Sequence, residues 1–327
     1  MALGTDESIE YRIVLSDTSA VIYTGVAFRR PGATYNIIRI NDICADWLTN
    51  SLPEMSQTQF TQFDLPITFL IQKYTSSWTT VDYVSFLNDW SYDHDYNVAT
   101  MGMAFPINGH LQLGQWLVFS AYNATSVVAT IYTSGGSYNV TIPIAISADF
   151  NVDYNSDFAK SVRGAGSGTA VLDISGWTDA ERVVIGNTTY TVVNTCSRYV
   201  LYYLNAYGGW DSLLIEGWHA ESDSLTRHTR EVDYDNSNVQ NRFRINYVNE
   251  ITKRLTLHTG WLSDDEASRM HHLLNSTNVY LYDMTEDEMI PVTIPSTSTE
   301  YKTYHGQGNR LVKYDLEVEF AHYRTRR

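Results

Sequence analysis

Short runs of β-branched and aromatic residues, each ended by a turn sequence, recur along almost the whole chain. They are densest between Leu65 and Ser147, where they include residues 66–74, 78–87 and 115–122. A run of about four to eight such residues is typical of a strand, and a series of them with frequent turns is typical of a β-sandwich. The sequence therefore predicts a mainly β, multidomain β-sandwich protein.

The composition supports the same prediction. The 327 residues include 24 Tyr, 11 Phe and 8 Trp, whereas charged residues make up only 18%. Tyr and Trp combine a large apolar body with a polar tip, so they suit strands, protein interfaces and sugar contacts. Many Ser, Thr and Asn residues accompany them, and this mixture favours strands and turns over long helices.

Two segments have helical character. A short helix is expected near residue 45, and Pro53 ends it. A longer helix is expected over residues 263–275, because Ser263 is a good N-cap and Glu266 completes a capping box three residues later. One face of this second helix is predicted to carry Ala267, Met270, His271 and Leu274.

A long final strand is predicted over residues 311–323. Apolar and charged residues alternate in it, so one face belongs to a core and the other faces water or a partner. The charged face includes Asp315, Glu317 and Glu319.

Four segments are expected from the spacing of strands and breaks. Residues 1–64 form an N-terminal β segment of the assembly core, and residues 65–160 form an inserted or extra β-sandwich domain. Residues 161–195 are expected to be a linker with a hairpin, since they begin with the glycine-rich sequence at 164–168. Residues 196–327 form a C-terminal β domain that contains the capped helix.

The net charge of −15 makes phosphate binding unfavourable, because proteins that hold nucleic acid by its backbone are basic. Three interpretations of the acidity stay open: it increases solubility, it suits a basic partner, or it lines a surface that DNA passes without adhering. No specific nucleic-acid binding is expected in any of these cases.

Membrane insertion and a disulfide-rich scaffold are not expected. No apolar run approaches the roughly 20 residues that a membrane-spanning helix needs. The polar, acidic residues 1–10 are unlike a signal peptide. Cys44 and Cys196 are the only cysteines, and either two buried thiols or one disulfide is consistent with their separation.

The candidate metal-binding motifs lack the residue spacing of known calcium and zinc sites. Residues 149–157 alternate oxygen ligands like a calcium loop, but Tyr154 stands where that loop needs glycine and Lys160 where it needs a bidentate Glu. Neither Asp93-His94-Asp95 nor His271-His272 has the spacing of a zinc motif. No metal site is therefore expected.

Catalytic motifs are not found either. The glycine-rich sequence at 164–168 has no following Lys-Ser/Thr, as a phosphate-binding loop requires, and the chain contains no GxSxG. Paired carboxylates of a glycosidase stay open, because such residues meet only in the fold. The chain is predicted not to be an enzyme and to need no cofactor.

Three stretches resemble a known group of proteins. They are YVLYYLNAYGGWDSLLIEG at 199–217, KRLTLHTGWLSDDEASRMHHLLNS at 253–276, and IYTGVAFRRPG at 22–32 followed by IIRINDICADWL. These stretches resemble structural proteins of tailed phages and prophages of gut Bacteroidetes. The order of strand, helix, strands and closing strand is similar to that of tail-tube and distal-tail modules.

The resemblance implies a structural virion protein, made in the cytoplasm of the bacterial host. It would be a subunit of a tail, distal-tail or baseplate ring and would assemble with itself and other tail proteins. The alternative is a carbohydrate-binding or host-adhesion module, such as a tail-fibre adaptor or receptor-binding protein, with a host-surface glycan as partner. A neck or connector protein is a further alternative.

The candidate site residues are accordingly structural. The Gly208-Gly209 turn is expected to need a positive φ or a close approach by another chain. Assembly roles are expected for Gly208, Gly209, Trp210, Trp218, Trp261, Ser263 and Glu266. In a ring, Asp315, Glu317 and Glu319 would face an acidic lumen, and the basic residues 324–327 would meet an acidic neighbour.

Overall fold

The protein is mainly β, as predicted, and contains several sheets. A computed structural model describes most of the chain. The described residues are 8–16, 18–38, 40, 43–44, 47, 52–62, 67–86, 109–121, 126–143, 168–193, 197–205, 208–231, 244–295, 311–321 and 324–326.

The N-terminal sheet has four antiparallel strands in the order β2-β1-β4-β5. These are β1 (Ser8–Leu15), β2 (Val21–Phe28), β4 (Ile67–Tyr74) and β5 (Trp78–Phe86). One face buries Ile13, Phe69 and Ile71 against a segment that contributes Ile38 and Cys44. Cys44 is a buried free thiol, and burial raises its pKa to about 11.

A β-sandwich follows, made of a three-stranded and a five-stranded sheet. The first has the order β3 (Gln59–Gln62), β10 (Gly168–Asp173), β7 (Trp116–Ala121). The second has the order β6 (Gly109–Gln112), β12 (Thr188–Val193), β11 (Ala180–Ile185), β8 (Val127–Thr133), β9 (Gly136–Ile142). Alternate side chains of both sheets form one buried cluster, which includes Phe119 and Leu172 from the first and Ile131 and Val183 from the second.

The C-terminal sheet has eight strands. Seven of them lie in the order β14 (Trp210–Leu214), β13 (Tyr199–Leu204), β18 (Val279–Asp283), β19 (Glu288–Thr293), β21 (Asp315–Phe320), β16 (Arg244–His258), β15 (His219–Glu231). The eighth, β22 (Arg324–Arg326), pairs with β16 further along its length. Two short strands, β17 (Leu262–Ser263) and β20 (Leu311–Val312), form a separate pair.

Helix α1 (Asp264–Leu274) covers one face of this sheet. It begins directly after Ser263, which confirms the predicted helix and the N-cap position of Ser263. Met270 and Leu273 are buried against the sheet, whereas Leu274 is half-buried. His271 is exposed, so its predicted place on the core face is wrong: the buried stripe runs through Met270 and Leu273 and turns His271 outward.

The predicted strand over 311–323 is divided. Its described residues lie in two strands: β20 pairs with β17, whereas β21 pairs with β19 and β16. The alternation is confirmed within β21, where Leu316 and Val318 are buried. The predicted short helix near residue 45 is helical at residues 43–44, and several of its other residues lie outside the described part.

The sheets group the chain differently from the four expected segments. Strands β4 and β5, expected in the inserted domain, pair with β1, and β3, expected in the N-terminal segment, joins the sandwich. Strands β11 and β12, expected in the linker segment, also belong to the sandwich. Turn residues show where a chain reverses, but pairing between distant strands is decided by the packing of their faces.

We expect the mutation Leu273→Ala to reduce the free energy of unfolding by about 2–5 kcal/mol, because it leaves a cavity between α1 and the sheet. Ser263→Ala should cost only about 1 kcal/mol through loss of the N-cap. Urea denaturation of the purified variants measures both. Leu274→Ala is the control and should cost less than Leu273→Ala; the reverse order would show that the buried face of α1 is assigned incorrectly.

Candidate assembly surfaces

The predicted turn at Gly208-Gly209 lies inside a buried hydrogen-bond network. Gly208 has φ 77°, as predicted, and its N–H donates to the Asn205 carbonyl (3.1 Å). The Asn205 side chain accepts from the Gly209 N–H and donates to Asp211 Oδ2 and Ser120 Oγ, at 3.0–3.1 Å. The turn therefore orders the chain between β13 and β14.

Trp210, expected to be an assembly contact, is buried within this chain. Its ring lies 5.7 Å from that of Tyr280, and its backbone N–H donates to Thr169 Oγ1 of the sandwich (3.2 Å). Trp210 therefore joins the C-terminal sheet to the sandwich and is not on the surface.

An ion pair that was not predicted from the sequence lies at the start of β13. Arg198 donates to both carboxylate oxygens of Asp283, the last residue of β18, at 2.6–3.0 Å. Burial alone would raise the pKa of Asp283, but Arg198 and the backbone N–H groups of Thr285 and Glu286 outweigh burial and hold that pKa below its usual value.

The predicted acidic face of β21 is paired with basic residues of β16. Arg254 donates to Glu317 (2.9 Å) and lies 2.5 Å from the carboxylate of Glu319. Asp315 contacts Nδ1 of His258. The three acids do lie on one face, as alternation predicted, but they form part of a mixed-charge surface and not a row of unpaired carboxylates.

In the described part of the chain, β15 and β16 extend beyond the other strands that pair with β16, and we call this pair the arm. They pair from His219↔Leu257 to Glu231↔Arg244, whereas β21 reaches only residues 254–258 of β16 and β22 only residues 249–251. Within the described part of the chain, residues 244–248 therefore have β15 as their one strand partner. At about 3.4 Å per residue the projecting segment is roughly 15–20 Å long.

The arm is basic although the chain is acidic. Residues 225–231 of β15, residues 244–252 of β16 and the three residues of β22 together contain five arginines and two glutamates. The arginines are Arg227, Arg230, Arg244, Arg324 and Arg326. When residues 232–243 and Arg327 are included from the sequence, the balance is seven arginines to four carboxylates, against a net charge of −15 for the chain.

The N-terminal sheet exposes an apolar surface around its edge strand β2. Val26 and Phe28 lie on the outer face, and the Phe28 side chain is 71% exposed. Tyr35 and Ile37 are also exposed, and the intervening Asn36 hydrogen-bonds the Ala27 carbonyl of β2 (2.9 Å). These four apolar side chains, which we call the β2 patch, flank the same edge of the sheet.

Trp218 and Trp261 are on the surface, at 61% and 66% exposure. The Trp218 ring lies over that of His258, with centroids 3.5 Å apart, and the backbones of Gly217 and Trp218 hydrogen-bond to His258 (2.9 and 3.1 Å). Thr259 and Gly260 then lead to Trp261. The fold thus brings the predicted residues Trp218, Trp261 and Asp315 to one corner of the C-terminal sheet, around a His258 that sequence reasoning missed.

The side chains of the helix cap and the candidate metal motifs contribute to no site in the described part of the chain. The side chains of Ser263 and Glu266 lie outside the described part, as do Asp93-His94-Asp95 and residues 149–157. Among the described residues no group of three His, Cys, Asp or Glu side chains could hold a metal ion. No described helix is long and apolar enough to cross a bilayer.

Comparison of the chain with protein-family models, with curated proteins and with solved structures finds no match.

The mutation Gly208→Val should destabilise the protein by about 1–3 kcal/mol, because a β-branched residue is strained at positive φ. Gly208→Asn is the matched control and should cost less, since Asn tolerates this conformation. Equal stability of the two variants in urea denaturation would contradict the role given to the turn.

Asp283→Asn should lower the free energy of unfolding by about 1.5–3 kcal/mol near pH 7, because it breaks the charged pair with Arg198. The folded pKa of Asp283 lies below the unfolded value of about 3.9, so the stabilisation is present above that value and is lost as pH falls through the folded pKa. The difference between wild type and variant should therefore shrink below about pH 4.

Urea denaturation at neutral and acidic pH measures this difference. Asp223→Asn, at an exposed position on β15, is the control and should have a small effect at both pH values. A cost for Asp283→Asn that stayed the same at acidic pH would contradict the assigned pKa.

Proposed function

We propose that the chain is a structural subunit that assembles with copies of itself and with other proteins, as part of a tail, distal-tail or baseplate ring of a tailed phage. The observation that carries this proposal is the projecting β15–β16 arm. An isolated two-stranded hairpin is at best marginally stable in water, so a projecting arm of this kind gains stability from a partner surface. A further strand or an apposed face of a neighbouring subunit would supply such a surface.

The charge distribution favours another copy as the partner. The arm carries an excess of arginines, whereas the chain as a whole has a net charge of −15. An arm that reaches an acidic surface of the next subunit would gain from electrostatic complementarity, which speeds encounter and fixes the register of the contact. Contact between different surfaces of identical subunits generates rings when the rotation closes.

The β2 patch supplies a second contact region at the other end of the sequence. Large exposed apolar side chains close together on a soluble surface are typical of interaction sites. The patch is also an edge of a sheet, and edges accept strands from other chains. Its chemistry differs from that of the arm, so the two regions suit different neighbours.

The assignment to a phage tail is supported by the sequence resemblance. The three similar stretches lie on β2 and the residues after it, on β13 and β14 with their turn, and on the end of β16 through α1. They therefore include Val26, Phe28 and Ile37 of the β2 patch and part of the C-terminal sheet. An acidic lumen formed by Asp315, Glu317 and Glu319 stays a prediction. The three carboxylates form ion pairs with Arg254 and His258, so such a lumen would be less negatively charged than the sequence alone suggested.

The arm can be tested by reversing its charge. Arg227 and Arg230 are exposed on β15, so R227E/R230E changes the arm without touching a described core. The matched control is R182E/K313E, which makes the same charge change on the sandwich and before β21. Mass photometry and sedimentation at several salt concentrations report the oligomer distribution of each protein.

We expect wild type to form a defined oligomer at protein concentrations up to about 100 µM and R227E/R230E to weaken it at least about tenfold, with a larger effect at low salt. The control variant should assemble like wild type. A wild-type protein that stayed monomeric, or an equal loss in both variants, would contradict the proposal.

A further inference from the structure

The corner formed by Trp218, Trp261 and His258 has no role in the proposed assembly through the arm or the β2 patch. We propose that it is a binding site for a neutral oligosaccharide. The observation behind the proposal is the presence of two exposed indole rings next to fixed carboxylate and imidazole groups, at a place where two loops of the C-terminal sheet meet.

The Trp218 ring is held in place because one of its faces packs against another side chain. Its inner face lies on the His258 ring, and His258 is itself buried and fixed through Nδ1 by Asp315. Gly217 permits this close approach, because a Cβ at that position would lie 2.3 Å from the His258 carbonyl oxygen. A ring that is already ordered loses little conformational entropy on binding, so its outer face is prepared for a flat ligand.

Trp261 is placed beside the same loop. Gly260, with φ 80°, lets the chain turn directly before it, and a Cβ on Gly260 would lie 3.3 Å from Cβ of Glu216. The segment 216–218 and the segment 258–261 are therefore in contact, and each presents one exposed indole ring. Two aromatic rings on adjacent loops can hold successive residues of a chain-like ligand.

Polar groups that suit hydroxyl recognition surround the two rings. The Asp315 side chain is 62% exposed and has oxygens that can accept further hydrogen bonds. The Glu216 carboxylate, two residues before Trp218, is paired with His110, which fixes its position. A pyranose ring has an apolar C–H face that stacks on an indole and a rim of hydroxyl groups that donate to carboxylates.

The negative charge of the site and of the chain favours neutral ligands over anionic ones. Glu216 and Asp315 lie at this corner, and the whole chain is strongly acidic. Sulfated sugars, uronic acids and nucleic acids would therefore be repelled. A neutral glycan is the ligand class that uses the aromatic rings and the carboxylates without this penalty.

A protein partner is the main alternative occupant, since Trp is also enriched at protein interfaces. Interface hot spots, however, lie in well-packed apolar centres. At this corner the groups that accompany the two rings include the carboxylates of Glu216 and Asp315. This polar setting favours a hydroxyl-rich ligand over an apolar protein surface.

The test uses the full chain and four neutral probes: cellohexaose, mannohexaose, xylohexaose and N-acetylchitohexaose. Calorimetric titration and tryptophan fluorescence should show that at least one binds, with a Kd between about 10 µM and 1 mM. W218A and W261A should each weaken that binding at least tenfold. W47A, which removes an exposed Trp from the N-terminal region, is the matched control and should bind like wild type.

Thermal unfolding shows whether the variants remain folded, which we expect because both rings are mostly exposed. The oligomer distribution of W218A should match that of wild type, so failure of this proposal is distinguishable from failure of the assembly proposal. If no probe binds below about 10 mM, or if W218A and W261A bind like wild type, the proposal is overturned. Loss of the oligomer in W218A without glycan binding would identify the corner as a protein interface and would also overturn it.

Discussion

The seam between the β-sandwich and the C-terminal sheet is the contact on which the rest of the described structure depends. Val118 and Val171 of the sandwich pack against Val200, Tyr202 and Trp210 of the C-terminal sheet. Among the described strands, β7 is at the edge of its own sheet, and its backbone at Val118 and Ser120 faces β14. Side chains of β14 supply hydrogen bonds to this backbone.

The polar part of the seam fixes how the two sheets meet. Ser212 Oγ donates to the Val118 carbonyl (3.1 Å), and Asp211 accepts from Ser120. Asn205, ordered by the Gly208 turn, completes the network. Because buried polar groups cost free energy unless they are paired, these hydrogen bonds favour the observed alignment of the two sheets.

Much of the local structure could be predicted from the sequence. The strand class, the Gly208 conformation and helix α1 with its N-cap position follow from propensity, turn residues and capping, which act over a few residues. The buried place of Trp210, the division of residues 311–323 and the joining of β3 to the sandwich could not be predicted. Each depends on which distant strands pair, and an aromatic or alternating strand fits several partners equally well.

The candidate sites show the same limit. Trp218, Trp261 and Asp315 were recognised by residue type, but His258, which brings them together, has no sequence signal beyond being a lone histidine in a strand. The acidic face of β21 was predicted from alternation, whereas its neutralisation by Arg254 depends on the pairing of β21 with β16. Alternation identifies a face, but the charge on that face is set by the neighbouring strands.

The basic arm on an acidic chain is the feature through which the charge pattern supports the proposed assembly. Its arginines lie on β15, on β22 and at the start of β16, whereas the carboxylates of β21 lie beside residues 254–258 of β16. Such separation of charge within one subunit favours contact between different surfaces of neighbouring copies.

An electron-microscopic reconstruction of the assembled protein would show what the arm contacts. We expect a closed ring or tube in which the β15–β16 arm of each subunit lies against an acidic surface of the next. A particle in which the arms project freely into solvent, or a protein that remains a monomer at high concentration, would contradict it.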